Sequence, residues 1–118
     1  MAKITFMGAG STVFAKNVLG DTMLAEPLRK CEIALYDIDA ARLEESAVVI
    51  EAINAKYNEN RAVVKKYLGV SQRKDALRGA KFVIDAIQVG LYDPCTIIDF
   101  EIPTMASCRF TLFCRHFE

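Results

Sequence analysis

The sequence is short of the features that mark specialised classes of protein. Its charges cancel: 15 Lys+Arg stand against 15 Asp+Glu, with one His, in 118 residues. Without an excess of Lys and Arg, a nucleic-acid binder relying on bulk positive charge is excluded. No apolar run approaches the roughly 18 residues that a membrane span requires. The start, Met1-Ala2-Lys3-Ile4-Thr5-Phe6, has a Lys but no h-region and no cleavage site, so it reads as a first strand and not as a signal peptide. The four cysteines, Cys31, Cys95, Cys108 and Cys114, form no C-x-x-C pair, and a single His is a poor supply of metal ligands. Internal repeats and low-complexity segments are also missing. Together these absences predict a cytoplasmic protein of one domain at most, with reduced thiols and neither a nucleic-acid nor a membrane partner.

What is present is the composition of a globular domain. Hydrophobic residues make up 53% and charged residues 25%, enough apolar surface to offset chain entropy and exclude disorder. Strand-like and helix-like patterns alternate. Lys3 to Met7 is a short β-rich run ending at Gly8. From Ser11 to about Leu24 the pattern is helical, with Val13, Phe14, Asn17/Val18, Asp21 and Leu24 recurring on one face. Pro27 marks a break. Glu32 to Tyr36 is a second strand ended by Asp37. Ala40 to about Tyr57 is the clearest helix: Leu43, Ala47, Ile50, Asn54 and Tyr57 share a face, with Arg42, Glu44, Glu45 and Glu51 largely off it. A turn at Asn58-Glu59-Asn60 precedes a weaker strand from Val63 to Val70, a short helix from Gln72 to Arg78, and a fourth strand from Lys81 to Ile87. Near-continuous apolar strands separated by helices predict a parallel sheet covered on both faces, a doubly wound α/β fold.

Gly8-Ala9-Gly10-Ser11 falls between the first strand and the first helix. The first Gly permits a tight turn, and the second lets the backbone approach a pyrophosphate. Free N–H groups and the positive end of the helix dipole then meet the phosphates. The third position of G-x-G-x-x-G is Val13, which alters how closely the helix packs on the sheet. Asp37 ends the second strand, near the spacing expected of a carboxylate that accepts from ribose hydroxyls and repels a 2′-phosphate. NAD is therefore favoured over NADP. The plain alternative is an ordinary strand–helix turn, with Asp37 or Asp39 capping the next helix. Gln88-Val89-Gly90 follows the fourth strand, where either a ligand crevice or simple turn geometry would suit it.

Several separated motifs carry a family resemblance. They are Lys3-Ile4-Thr5-Phe6-Met7-Gly8-Ala9-Gly10-Ser11-Thr12-Val13-Phe14, Ala34-Leu35-Tyr36-Asp37-Ile38-Asp39, Arg42-Leu43-Glu44-Glu45-Ser46, Ile87-Gln88-Val89-Gly90, Tyr92, Pro94-Cys95-Thr96 and Asp99-Phe100-Glu101. Over residues 3 to 103 the chain resembles the amino-terminal part of glycoside hydrolase family 4, most of all its α-galactosidase (melibiase) branch. The G-A-G-S-x-x-F form accounts for Val13. The resemblance implies an NAD-dependent glycosidase outside two-carboxylate hydrolysis. In that family NAD takes a hydride from sugar C3, a base removes the acidified C2 proton with help from a divalent metal, usually Mn²⁺, and the C1 bond eliminates. Water then adds and the hydride returns. Carried over by position, Gly8, Gly10, Ser11 and Asp37 would hold the cofactor, and Gln88, Val89 and Gly90 would border the nicotinamide and sugar. Leu91 stands where this branch typically has a second Gly. The family's base, metal ligands and sugar-binding Asn lie further along than the likeness extends, so no catalytic or metal-binding residue is assigned here.

Residues 104–118 match neither period over their length. Cys114-Arg115-His116-Phe117 can be encoded as TGC CGA CAC TTT G. Read one base later, this gives Ala-Asp-Thr-Leu, which resembles a motif of the form I-A-D-T-x-G that follows in the family. The expectation is a partial Rossmann-like NAD-binding domain over 1–103 and an atypical, frame-shifted tail. With about four strands instead of six, it should be marginally stable, with an exposed sheet edge, and should form homo-oligomers or self-associate. The partner in a full-length protein would be a small-molecule glycoside, the isolated chain being inactive. Two other readings share the fold: an NAD-dependent dehydrogenase of the lactate/malate type, and a non-catalytic nucleotide-binding fragment.

Overall fold

The computed structural model describes residues 1–89 and 95–105, with side chains through residue 102. Two compact units are present, Met1–Ile87 and residues 88–118. The sequence instead divides at 103/104, and residues 106–118 of the expected tail lie outside the described set. In the first unit the order is β1 (Ala2–Met7), α1 (Thr12–Leu24), a single 3-10 turn (Glu26–Leu28) containing Pro27, β2 (Cys31–Asp37), α2 (Ala40–Tyr57), β3 (Val63–Leu68), α3 (Gly69–Leu77) and β4 (Phe82–Asp85). The second unit contains α4 (Ile97–Met105).

All strand pairs are parallel, in the order β3-β2-β1-β4. The chain moves outward from β1 through β2 to β3, then returns to the other side of β1. Strand order therefore reverses between β1 and β4, which makes the carboxyl ends of those strands the natural ligand crevice. The sheet has the expected doubly wound α/β form. Residues of β1 and β2 alternate between its faces. Ile4, Phe6, Ile33 and Leu35 pack with α1 and α2, while Met7 and Tyr36 pack with Ala76 of α3 and with Tyr67. Thr5 points to the α3 face, where its hydroxyl donates to the Ala76 carbonyl at 2.7 Å. Lys3 Nζ donates to the carbonyls of Asp75 and Arg78 at 3.1 and 2.8 Å, closing the C-terminal end of α3.

Five expectations need correction. The packed face of α1 is Ala15, Leu19 and Met23, not Val13, Phe14 and Leu24, which are exposed. This helix carries apolar residues on several sides, so periodicity alone selects the wrong stripe. The small Ala15 wins because the helix leaves a tight turn and must lie close to the sheet. On α2, Tyr57 is exposed and Asn58 is buried in its place. Asn58 Nδ2 donates to the Arg29 carbonyl and to Asn54 Oδ1, and Asn54 Nδ2 in turn donates to the Ala62 carbonyl. These bonds tie the end of α2 to the segment before β2 and to the segment leading into β3. Helix α3 begins at Gly69, upstream of Gln72, whose side chain accepts from the Leu68 N–H at 2.9 Å. Finally, β4 is shorter than Lys81–Ile87: Asp85 Oδ1 accepts from the Ile87 N–H at 3.0 Å and turns the chain off the ladder. Among the described residues, β4 is also not covered on both faces, since Phe82 and Val83 are half exposed.

Candidate functional site

The candidate site is the turn from β1 into α1. Gly8 has φ +85°, and a Cβ there would lie 2.6 Å from the Ala86 carbonyl oxygen. Only glycine fits between the end of β1 and the chain leaving β4. The N–H groups of Gly8 and Ala9 both donate to the Tyr36 carbonyl, at 3.0 and 2.9 Å, fastening the turn to the end of β2. Ala9 is fully buried, and its carbonyl accepts from the hydroxyl of Ser46 on α2. Ser46 Oγ also lies 3.0 Å from Thr12 Oγ1. The turn is thus held from β2 on one side and from α2 on the other.

Asp37 closes the arrangement. Its Oδ2 accepts from the Gly10 N–H at 2.6 Å, and its Oδ1 accepts from the Asp39 N–H at 2.9 Å. A carboxylate has about four lone-pair positions, so acceptor capacity remains for a sugar hydroxyl. A Cβ on Gly10 would sit 2.7 Å from Asp37 Oδ2 and 3.1 Å from Arg42 Cβ, which explains the second glycine. Asp39 caps α2 by accepting from the N–H groups of Ala41 and Arg42. The plain alternative therefore holds for Asp39, whereas Asp37 reaches back to the glycine turn.

The amides that could meet an anion differ from the expected ones. Gly8, Ala9 and Gly10 have committed their N–H groups, and those of Ser11 and Thr12 point to the carbonyls of Gly8 and Gly10. What remains in the first turn of α1 is the amides of Val13 and Phe14, because that of Ala15 already donates to the Ser11 carbonyl at 2.9 Å. Ser11, at the N-cap position, is exposed and makes no side-chain cap bond, leaving its hydroxyl beside that turn. Val13 is 69% exposed and faces away from the sheet. The close helix–sheet approach is made by Ala9 and Ala15 instead, so a third glycine is unnecessary. These features fit a dinucleotide: two positions where a side chain would fill the cradle, a helix N-terminus, and a carboxylate at the neighbouring strand tip.

Of the predicted residues, Gly8, Gly10, Ser11 and Asp37 come together. Gln88 and Val89 fall in the second unit, where Gln88 Nε2 bonds Thr96 Oγ1 and Val89 is exposed. Gly90 lies outside the described residues. Among the described residues no three His, Cys, Asp or Glu side chains cluster to hold a metal. Ser46 carries a role the sequence did not reveal. Its signal was a small polar residue on the apolar face of α2, one turn from Leu43 and Ile50.

Comparison with known proteins gives concordant results. The family described as family 4 glycosyl hydrolase matches residues 3–112, a span that continues past Pro103. An alpha-galactosidase of Bacillus subtilis (strain 168) is 54% identical over 112 residues, 95% of this chain and 25% of that protein. An alpha-glucosidase of Erwinia rhapontici is 35% identical over 101 residues, covering 86% of this chain and 21% of the relative. An alpha-galactosidase of Rhizobium meliloti (strain 1021) is 31% identical over 88 residues, 75% and 17% of the two chains. The chain spans no more than a quarter of the length of these relatives.

Proposed function

The chain belongs to the family 4 glycosyl hydrolases, and from that footing we propose that it is the NAD-holding portion of an α-galactosidase-type member. The dehydrogenase reading shares the fold but not the family. When bound, NAD would supply a reversible hydride acceptor, acting at sugar C3 as the family resemblance implies, with a divalent metal such as Mn²⁺ polarising the sugar oxygens.

The residues of this chain have narrower tasks. The amides of Val13 and Phe14 in the first turn of α1, with the Ser11 hydroxyl, bind the pyrophosphate. Asp37 accepts from the adenosine ribose, and Ser46 keeps the turn in shape. On this reading the isolated chain binds dinucleotide without cleaving glycosides.

One observation carries the proposal: a carboxylate 27 residues beyond Gly10 meets its backbone amide at 2.6 Å. An unrelated strand–helix turn has no need of that carboxylate. Calorimetric titration of the 118-residue chain with NAD tests it. Saturable binding is expected, lost in an Asp37→Ala variant that retains its circular dichroism. No binding by the unaltered chain, or equal binding by a folded variant, overturns the proposal.

A further inference from the structure

We propose that the outward side of α2 is an interface on which a second copy of this chain packs, antiparallel and about a two-fold axis. Helix α2 is apolar on two sides. Leu43, Ala47 and Ile50 are buried in the core, while Val48 and Tyr57 are 57% and 55% exposed. A surface helix needs one apolar stripe, and a second stripe marks a helix that is covered again. Val48, Val49, Ala52 and Ile53 line an open groove of about 300 Å³. Lys16 of α1 and Lys56 also line it, and among the described residues no carboxylate does.

Such a groove suits an apolar segment with an acid alongside, and α2 itself is one. Glu45 is exposed, one turn before Val48 on the same side of the helix. Its neighbour Glu44 is already engaged, holding Lys66 at 2.8 Å, so Glu45 is the carboxylate left to serve. Antiparallel pairing about an axis between Ile50 and Glu51 sets Glu45 beside Lys56 of the second copy, Val48 over its Ile53 and Val49 over its Ala52. Each contact then occurs twice, as a two-fold interface requires. Glu45 and Lys56 stand three turns apart, roughly 16 Å, so unlike charges close both ends of an apolar middle. The small Ala52 lets the two helices approach. The helix is complementary to itself in charge and in shape, and this selects a second copy as the occupant.

The test is charge reversal, read by sedimentation of the full chain over a range of concentrations. Glu45→Lys brings two cations together at each end of the interface, and Lys56→Glu brings two carboxylates together. Either change alone should weaken dimer formation by about tenfold, the worth of two exposed pairs turned from attraction to repulsion. Mixed in equal amounts, the two variants set unlike charges against each other at both ends, and the parental affinity should return. Both positions are exposed, so the variants should keep the circular dichroism of the parent. Association through the edge of β4 is blind to these charges, which makes the mixture decisive. Single variants that dimerise like the parent overturn the inference, as does a mixture no better than either variant alone. A parent that stays monomeric also overturns it, and the groove then belongs to a different occupant.

Discussion

The hydroxyl of Ser46, buried in α2, donates to the carbonyl of Ala9 in the glycine turn, 37 residues earlier in the chain. A helix on one face of the sheet thereby fixes the loop that would receive a pyrophosphate. The same hydroxyl meets Thr12 Oγ1 at the start of α1, so one side chain links turn, first helix and second helix.

Removing that hydroxyl leaves a buried carbonyl without its partner. Ser46→Ala should lower unfolding stability by about 1–3 kcal/mol. It should also weaken NAD binding more than an exposed change such as Glu45→Ala does. Urea denaturation and calorimetry on both variants check this.

Two glycines should respond in opposite directions. Gly8→Ala places a Cβ at φ +85° and 2.6 Å from a backbone carbonyl, contacts that cannot yield cheaply. A loss of about 2 kcal/mol or more is expected. Gly20 lies within α1 with nothing within 4 Å of its added Cβ. Gly20→Ala should stabilise the chain by about 0.5–1 kcal/mol. Thermal melts of the two variants should move to opposite sides of the parent.

Burial pushes the Cys31 thiol above its ordinary value of 9.0. The unfolded chain then ionises first as pH rises. Stability from the neutral buried thiol is complete below the unfolded value and is lost as pH climbs through the folded one. Denaturation midpoints should therefore fall on the alkaline side of pH 9.0 more steeply for the parent than for Cys31→Ala. Equal slopes would refute the assignment.

Among the described residues β4 pairs only with β1, and Phe82 and Val83 are half exposed beside that edge. An uncovered edge of this kind invites pairing with another copy. The purified chain should self-associate, and Val83→Lys should reduce its average mass in sedimentation. A monodisperse parent would contradict the expectation.

The family match holds in the given frame through residue 112, which confines the frame-shift proposal to residues 113–118, and sequencing the gene over that stretch tests it. A shifted frame should continue into family-like sequence. If neither shifted frame does, the proposal fails.

Much of the scaffold was legible because local chemistry agreed with the global fold. Ala40 to about Tyr57 was legible as a helix, since Asp39 caps its start and Leu43, Ala47, Ile50 and Asn54 recur on its buried face. Gly8, Gly10 and Asp37 were legible because few other residues serve at those positions. The packed side of α1 was not, because an apolar residue on the wrong stripe looks no different from one on the right stripe. Ser46 and Asn58 escaped for a related reason: a polar residue is buried only when distant backbone supplies its partners.

The sequence by itself determined the alternation of strands and helices, the glycine turn and the acid at the second strand tip. Each follows from φ/ψ limits, side-chain period or charge within a few residues. Tertiary structure alone decided that Asp37 bonds the Gly10 amide, that Ser46 braces Ala9, and that the glycine amides are committed while those of Val13 and Phe14 remain. Those outcomes depend on which strands lie side by side, and hydrogen bonds acting over about 3 Å cannot be read from segments 27 and 37 residues apart until the sheet brings them together.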